Sequence, residues 1–158
     1  MLKHVLLLAA LLLPAYSLQA DEYRAGPFQI DRPWSLQLPP NAPTVAAYFS
    51  IHNNGTVPDR LIAVDSTIAG AAQLHEHVHK DGLMKMQQVQ TVEIAAGADV
   101  SFAPMAYHVM LLDLKDRARL VEGQQFPLTL HFEHAGDVTV DVQVLKQAPD
   151  ASTTAHAH

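Results

Sequence analysis

The chain of 158 residues contains no cysteine. That excludes disulfide cross-links, thiol exchange and any centre that needs a thiolate ligand, the blue-copper type included. Stability must come from one hydrophobic core, and the roughly 138 residues that come after the first twenty are enough to build it. Basic residues are also scarce, with ten Lys and Arg against sixteen Asp and Glu and a formal net charge of -6. A nucleic-acid partner needs basic patches, and none is visible. The excess negative charge is the ordinary device that keeps a domain soluble. After residue 20 no long segment carries a helical period, and neither an internal repeat nor a domain boundary interrupts the chain.

Residues 1–20 read as a signal peptide: Lys3, the apolar run Val5 to Leu13, then a more polar stretch ending in Ala20. The run falls short of the about 20 residues that a spanning helix needs, so stable membrane insertion is not expected. Cleavage fits after Ala20; with Leu18 large for the minus-three position, cleavage after Ser17 is the alternative. The expected location is therefore the periplasm.

From Asp21 onward the chain is a series of short strands separated by turn signals. Expected strands are Pro27 to Ile30, Trp34 to Leu38, Thr44 to His52, Arg60 to Ser66, Ala72 to His79, Leu83 to Gln90, Val100 to Phe102, Tyr107 to Leu114, Phe126 to His134 and Val138 to Leu145. Alternation is clearest in the last two, where one face is apolar and the other polar. This predicts an all-β, single-domain antiparallel sandwich or barrel over residues 21–146, and then a flexible tail over residues 147–158 that ends in His156-Ala157-His158.

Every methionine except the initiator lies between His75 and Met110. Met84, Met86, Met105 and Met110 share that window with His75, His77, His79 and His108. His108 and Met110, two apart on a strand, project from one face. Asp81-Gly82 favours a tight hairpin turn, which would pair Lys80 with Leu83 and His75 with Gln88 and make Met86 the diagonal, same-face neighbour of His75. Thioether sulfur is soft, neutral and needs no deprotonation. Two methionines with two histidines suit Cu(I) and serve poorly for magnesium, calcium or zinc. Each residue alone reads more naturally as a core methionine or a hydrogen-bonded histidine, and only the combination is specific.

The spacing H-x10-M-x21-H-x-M resembles that of the periplasmic PCu(A)C copper chaperones. The resemblance runs from about Trp34 through Ala46-Ala47-Tyr48-Phe49, Asn53-Asn54-Gly55, Asp59-Arg60-Leu61 and Asp81-Gly82-Leu83-Met84-Lys85-Met86 to the last strand. It implies a cupredoxin-like sandwich or barrel and Cu(I) ligands at His75, Met86, His108 and Met110. It also implies delivery of copper to an acceptor protein, the binuclear copper site of a cytochrome c oxidase subunit or another copper chaperone, without catalytic turnover. Copper storage or detoxification is the rival binding role, and a copper oxidoreductase the rival enzyme. One departure stands out: Pro104-Met105-Ala106-Tyr107 occupies the place where the family carries a glycine pair, so the loop into the site is expected to differ.

The remaining histidines receive plainer readings. His77 and His79 are expected on a solvated face beside His75, and His52, His131 and His134 on the surface. Met84 is the first alternate sulfur ligand, and Met105 a further thioether close to the metal. The tail histidines His156 and His158 suit Cu(II), for which imidazole is a good ligand.

Overall fold

A computed structural model describes residues 22–150. In chain order the strands are β1 (Glu22–Ala25), β2 (Phe28–Leu36), β3 (Val45–Asn53), β4 (Asp59–Asp65), β5 (Ala69–Lys80), β6 (Leu83–Val89), β7 (Val92–Ile94), β8 (Asp99–Phe102), β9 (His108–Leu114), β10 (Gln125–Phe132) and β11 (Gly136–Leu145). A short 3-10 turn, Arg117–Leu120, separates β9 from β10. No helix among the described residues is long and apolar enough to cross a membrane. Residues 1–20, where a signal peptide is expected, and the tail histidines His156 and His158 lie outside the described residues.

The all-β expectation holds. The strands form one sheet in the order β6-β5-β9-β3-β2-β11-β10-β4-β7, with β1 flanking β2 and β8 flanking β3. Its inward side chains meet in one core. Alternation builds that core as expected: Phe126, Leu128 and Leu130 of β10 and Val140 and Val142 of β11 are fully buried, while residues between them face solvent in part or in full. One pair departs from the antiparallel expectation, since β2 runs parallel to β11 through Trp34↔Gln143 to Leu36↔Leu145.

Three local features escaped the strand pattern. β1 and β7 are too short for a period of two to stand out, and the 3-10 turn is held by one buried residue, Leu120. Expected as two strands, Phe28 to Leu36 is one strand with a bulge. Arg32 takes φ 48° beside Pro33, which lacks a ladder N–H, and the register to β3 shifts between Asp31 and Trp34. The extra residue reverses the parity of the strand: Phe28 and Ile30 point inward before the bulge, Ser35 after it. Trp34 thereby reaches the outer face, where it packs on Tyr48 of β3 with ring centroids 4.5 Å apart.

At the β6-β5-β9-β3 end of the sheet the histidines and methionines of the strands lie on that same outer face. Leu74, Val109 and Leu111 are buried inward. Alternation therefore sends Gln73, His75, His108 and Met110 outward. β6 is an edge strand, and Leu83 through Gln88 are exposed on both of its faces, so the end of the β5–β6 hairpin stands clear of the core.

Candidate metal centre

The hairpin register is the one the Asp81-Gly82 turn predicts. Both turn residues have positive φ, 54° and 75°, as a two-residue turn of this hand requires. Lys80 pairs with Leu83, His79 with Met84, His77 with Met86 and His75 with Gln88. Across the other edge of β5, His75 pairs with His108 and Gln73 with Met110. Three neighbouring strands thus carry His75, Met86, His108 and Met110 on one face, with Met86 and Met110 each diagonal to His75.

The side chains of His75, Met86 and His108 converge. The Nε2 of His108 lies 2.9 Å from the Sδ of Met86. The rings of His75 and His108 are 5.5 Å apart, and those of His77 and His108 5.2 Å. Met110 sits opposite Ala46 on β3. Tyr48, 6.4 Å from the His108 ring, closes the β3 side of the cluster.

Hydrogen bonds fix which nitrogen of each ring is free. His75 donates from Nε2 to Oε1 of Gln73 at 2.8 Å, because a carbonyl oxygen only accepts. That leaves Nδ1 as the lone-pair nitrogen, and it is buried without a partner. His108 donates from Nδ1 to the Ala106 carbonyl at 3.5 Å, freeing Nε2, the atom that faces Met86. His77 donates to the same carbonyl from Nδ1 at 3.4 Å and from its backbone N–H at 3.3 Å. An unpartnered buried nitrogen on His75 and a His108 nitrogen set against a thioether, each ring aimed by an outer hydrogen bond, are the donor arrangement expected of a metal site. Burial holds both imidazoles below the usual pKa of 6.5; at His108 the Ala106 bond opposes this and the neighbouring His77 and His75 reinforce it. Both rings are therefore kept neutral, the form that binds a metal.

The loop before β9 explains how Ala106 is placed. Met105 takes φ 67°, a left-handed conformation that a non-glycine residue adopts only at a cost of about 1–2 kcal/mol. It falls in the segment where the PCu(A)C pattern has its glycine pair. Met105 is 60% exposed, and its strained backbone presents the Ala106 carbonyl to two of the histidines.

Sequence reasoning missed Gln73, the Ala106 carbonyl and the Trp34–Tyr48 pair. A period of two was the available signal for Gln73, which precedes His75 by two residues. The others depend on the loop conformation and on the bulge. The surface histidines fall where expected. His52 pairs with Asp99, and His131 bridges Asp65 and Asp137. Asp59, Glu133 and His134 also cluster. There the Asp59 carboxylate already accepts backbone N–H groups of Arg60, His134 and Ala135, and Glu133 pairs with Arg60 at 2.7 Å.

Comparison with known proteins agrees with this architecture. Residues 28–144 match the family described as "Putative lipoprotein LpqE-like". A protein of Leifsonia xyli subsp. xyli (strain CTCB07), named "Putative lipoprotein Lxx21020", is 32% identical over 133 residues, covering 84% of this chain and 77% of its own. The apo PCuAC domain from PmoF1 superposes with a TM-score of 0.68 at 31% identity, over 82% of this chain and 100% of that domain. The copper-bound PCuAC domain from PmoF2 does so with a TM-score of 0.69 at 28% identity, over 80% of this chain and 99% of that domain. With the family matched across nearly all of its strands, the chain belongs to the PCuAC copper-chaperone family through its LpqE-like members.

Proposed function

We propose that the protein is an exported, periplasmic Cu(I) carrier that holds one ion at His75, Met86, His108 and Met110 and passes it to an acceptor, the binuclear copper site of cytochrome c oxidase. The observation that carries the reading is the pairing of the unpartnered, buried His75 Nδ1 with the His108–Met86 contact on one sheet face. Neutral nitrogen and thioether donors suit Cu(I), and the copper-bound relative supports copper as the cargo. In this reading Gln73 and the Ala106 carbonyl hold the ring tautomers so that the lone pairs face the ion.

Release follows from the same geometry. Met86 is 49% exposed on a projecting edge strand, so an incoming ligand reaches it from solvent. A departing thioether leaves no bare charge behind, so the ligands exchange one at a time. No step needs an electron, and the protein is not a catalyst in this role. The tail histidines His156 and His158 offer imidazoles for Cu(II).

The test is anaerobic Cu(I) titration against a competing chelator, and then transfer to the soluble domain of an oxidase subunit bearing the binuclear site. One tight equivalent that is strongly weakened by Met86→Ala and by His108→Ala, and that moves to the acceptor, is the expected result. Tight binding that never transfers would favour storage, and unchanged binding in both variants would remove the site.

A further inference from the structure

The geometry points to a second Cu(I) site on the β5–β6 hairpin, made by His79 and Met84, at which the ion pauses between the centre and its donor or acceptor. This rests on the reading of the chain as a Cu(I) carrier. His79 and Met84 are direct cross-strand partners, and the Nδ1 of His79 lies 3.4 Å from the Sδ of Met84. The pair repeats, one rung nearer the turn, the His77–Met86 pairing beside the centre. Two residues along a strand span about 7 Å, so the outer pair sits one short step from the inner one.

Two further observations favour a ligand role. The hairpin sorts its chemistry by face: His75, His77 and His79 share one face with Met86 and Met84, whereas Glu76, Lys80 and Lys85 fall on the other, across from Gln87, Leu83 and Val78. A cation moving along the first face meets neutral donors and no ammonium group of the hairpin. Met84 is also 45% exposed on an edge strand whose residues 83–88 bury little, so core packing gives no reason for a thioether there.

The step is a ligand exchange. The bond from copper to Met86 Sδ breaks as the bond to Met84 Sδ forms, and a neutral His79 nitrogen replaces a nitrogen of the centre. Copper stays Cu(I) and no proton is consumed. With two donors against four, the outer site is the weaker. An ion resting there is open to an incoming partner at the tip of the hairpin.

The experiment is anaerobic titration of the full chain with Cu(I), monitored through the 1H–13C signals of the methionine methyl groups. The first equivalent should move Met86 and Met110, and the second should move Met84. The double variant His79→Ala and Met84→Leu should keep first-equivalent affinity within about twofold, lose the second equivalent, and release Cu(I) to a chelator about tenfold more slowly. A Met84 signal unmoved through two equivalents, while Met86 responds to the first, would overturn the outer site and leave the centre standing. An unchanged release rate in the double variant would overturn its place on the route. Met86 and Met110 both unmoved would sink the carrier reading itself, and the outer site with it.

Discussion

The β10–β11 and β5–β6 hairpins share one backbone plan and use it in opposite ways. Each pairs two antiparallel strands in continuous register, and each uses a glycine with positive φ, Gly82 in the turn of one and Gly136 directly after the turn of the other. In the first, Phe126, Leu128, Leu130, Val140 and Val142 are fully buried. In the second, the strand from Leu83 to Gln88 is exposed throughout and carries Met84 and Met86. One hairpin holds the fold together and the other holds out the donors. The alternation that makes a core when a second layer covers it makes a ligand face where only a loop and partly exposed side chains do. Stability and metal chemistry therefore sit in separable parts of one sheet.

Substitutions at the two hairpins should break this comparison most sharply. Leu130→Ala, at a site with no exposure, should cost about 2–5 kcal/mol in urea unfolding. Met86→Ala should move stability by no more than about 0.5 kcal/mol while lowering Cu(I) affinity by more than about 100-fold. Loss of affinity in the Leu130 variant while it remains folded would show that the two parts are coupled after all.

Gln73→Leu removes the acceptor that sets the His75 tautomer. Chelator competition should show affinity about 10–100-fold weaker, with little change in unfolding. A value equal to wild type would mean that Nδ1 of His75 is not the coordinating atom.

Acid supplies a smaller and graded effect. Burial lowers the pKa of His75 and His108 from 6.5, so protons compete with the metal only at more acidic pH. Cu(I) affinity should stay level as pH falls towards about 6.5 and decline below it. The stability of the metal-free protein should have the same sign. The fold favours the neutral rings, so protonation below the unfolded pKa of about 6.5 draws the equilibrium towards the unfolded chain. Affinity that already falls between about pH 8 and 7, above the unperturbed pKa, would contradict the assignment of these rings.

The smallest effect concerns the loop. Met105→Gly relieves a left-handed residue at an exposed position and should raise stability by about 1 kcal/mol without weakening the first Cu(I) equivalent. Destabilisation would show that the Met105 side chain packs to advantage in spite of its backbone.

Much of this arrangement was legible in the chain. Asp81-Gly82 fixed the register of β5 and β6, because a two-residue turn leaves no freedom in which residues face each other. The period of two placed His108 with Met110, and separated the inward from the outward residues of β10 and β11. His77 was less legible. Expected to be solvated, it is half-buried, opposite Met86 and close to His108, because β9 and its preceding loop cover that part of β5.

Composition, donor chemistry and local turn geometry are properties of short stretches, so the all-β class, the soft donor set and the hairpin register were determined by the sequence itself. Which strands lie side by side is a long-range matter. Only the tertiary structure set β9 against β5, ran β2 parallel to β11, reversed the parity of β2 at its bulge and brought the Ala106 carbonyl to two histidines. The pairings of β9 with β5 and of β2 with β11, and the bond from His77 to Ala106, join residues far apart in the chain, where no local period or turn rule reaches.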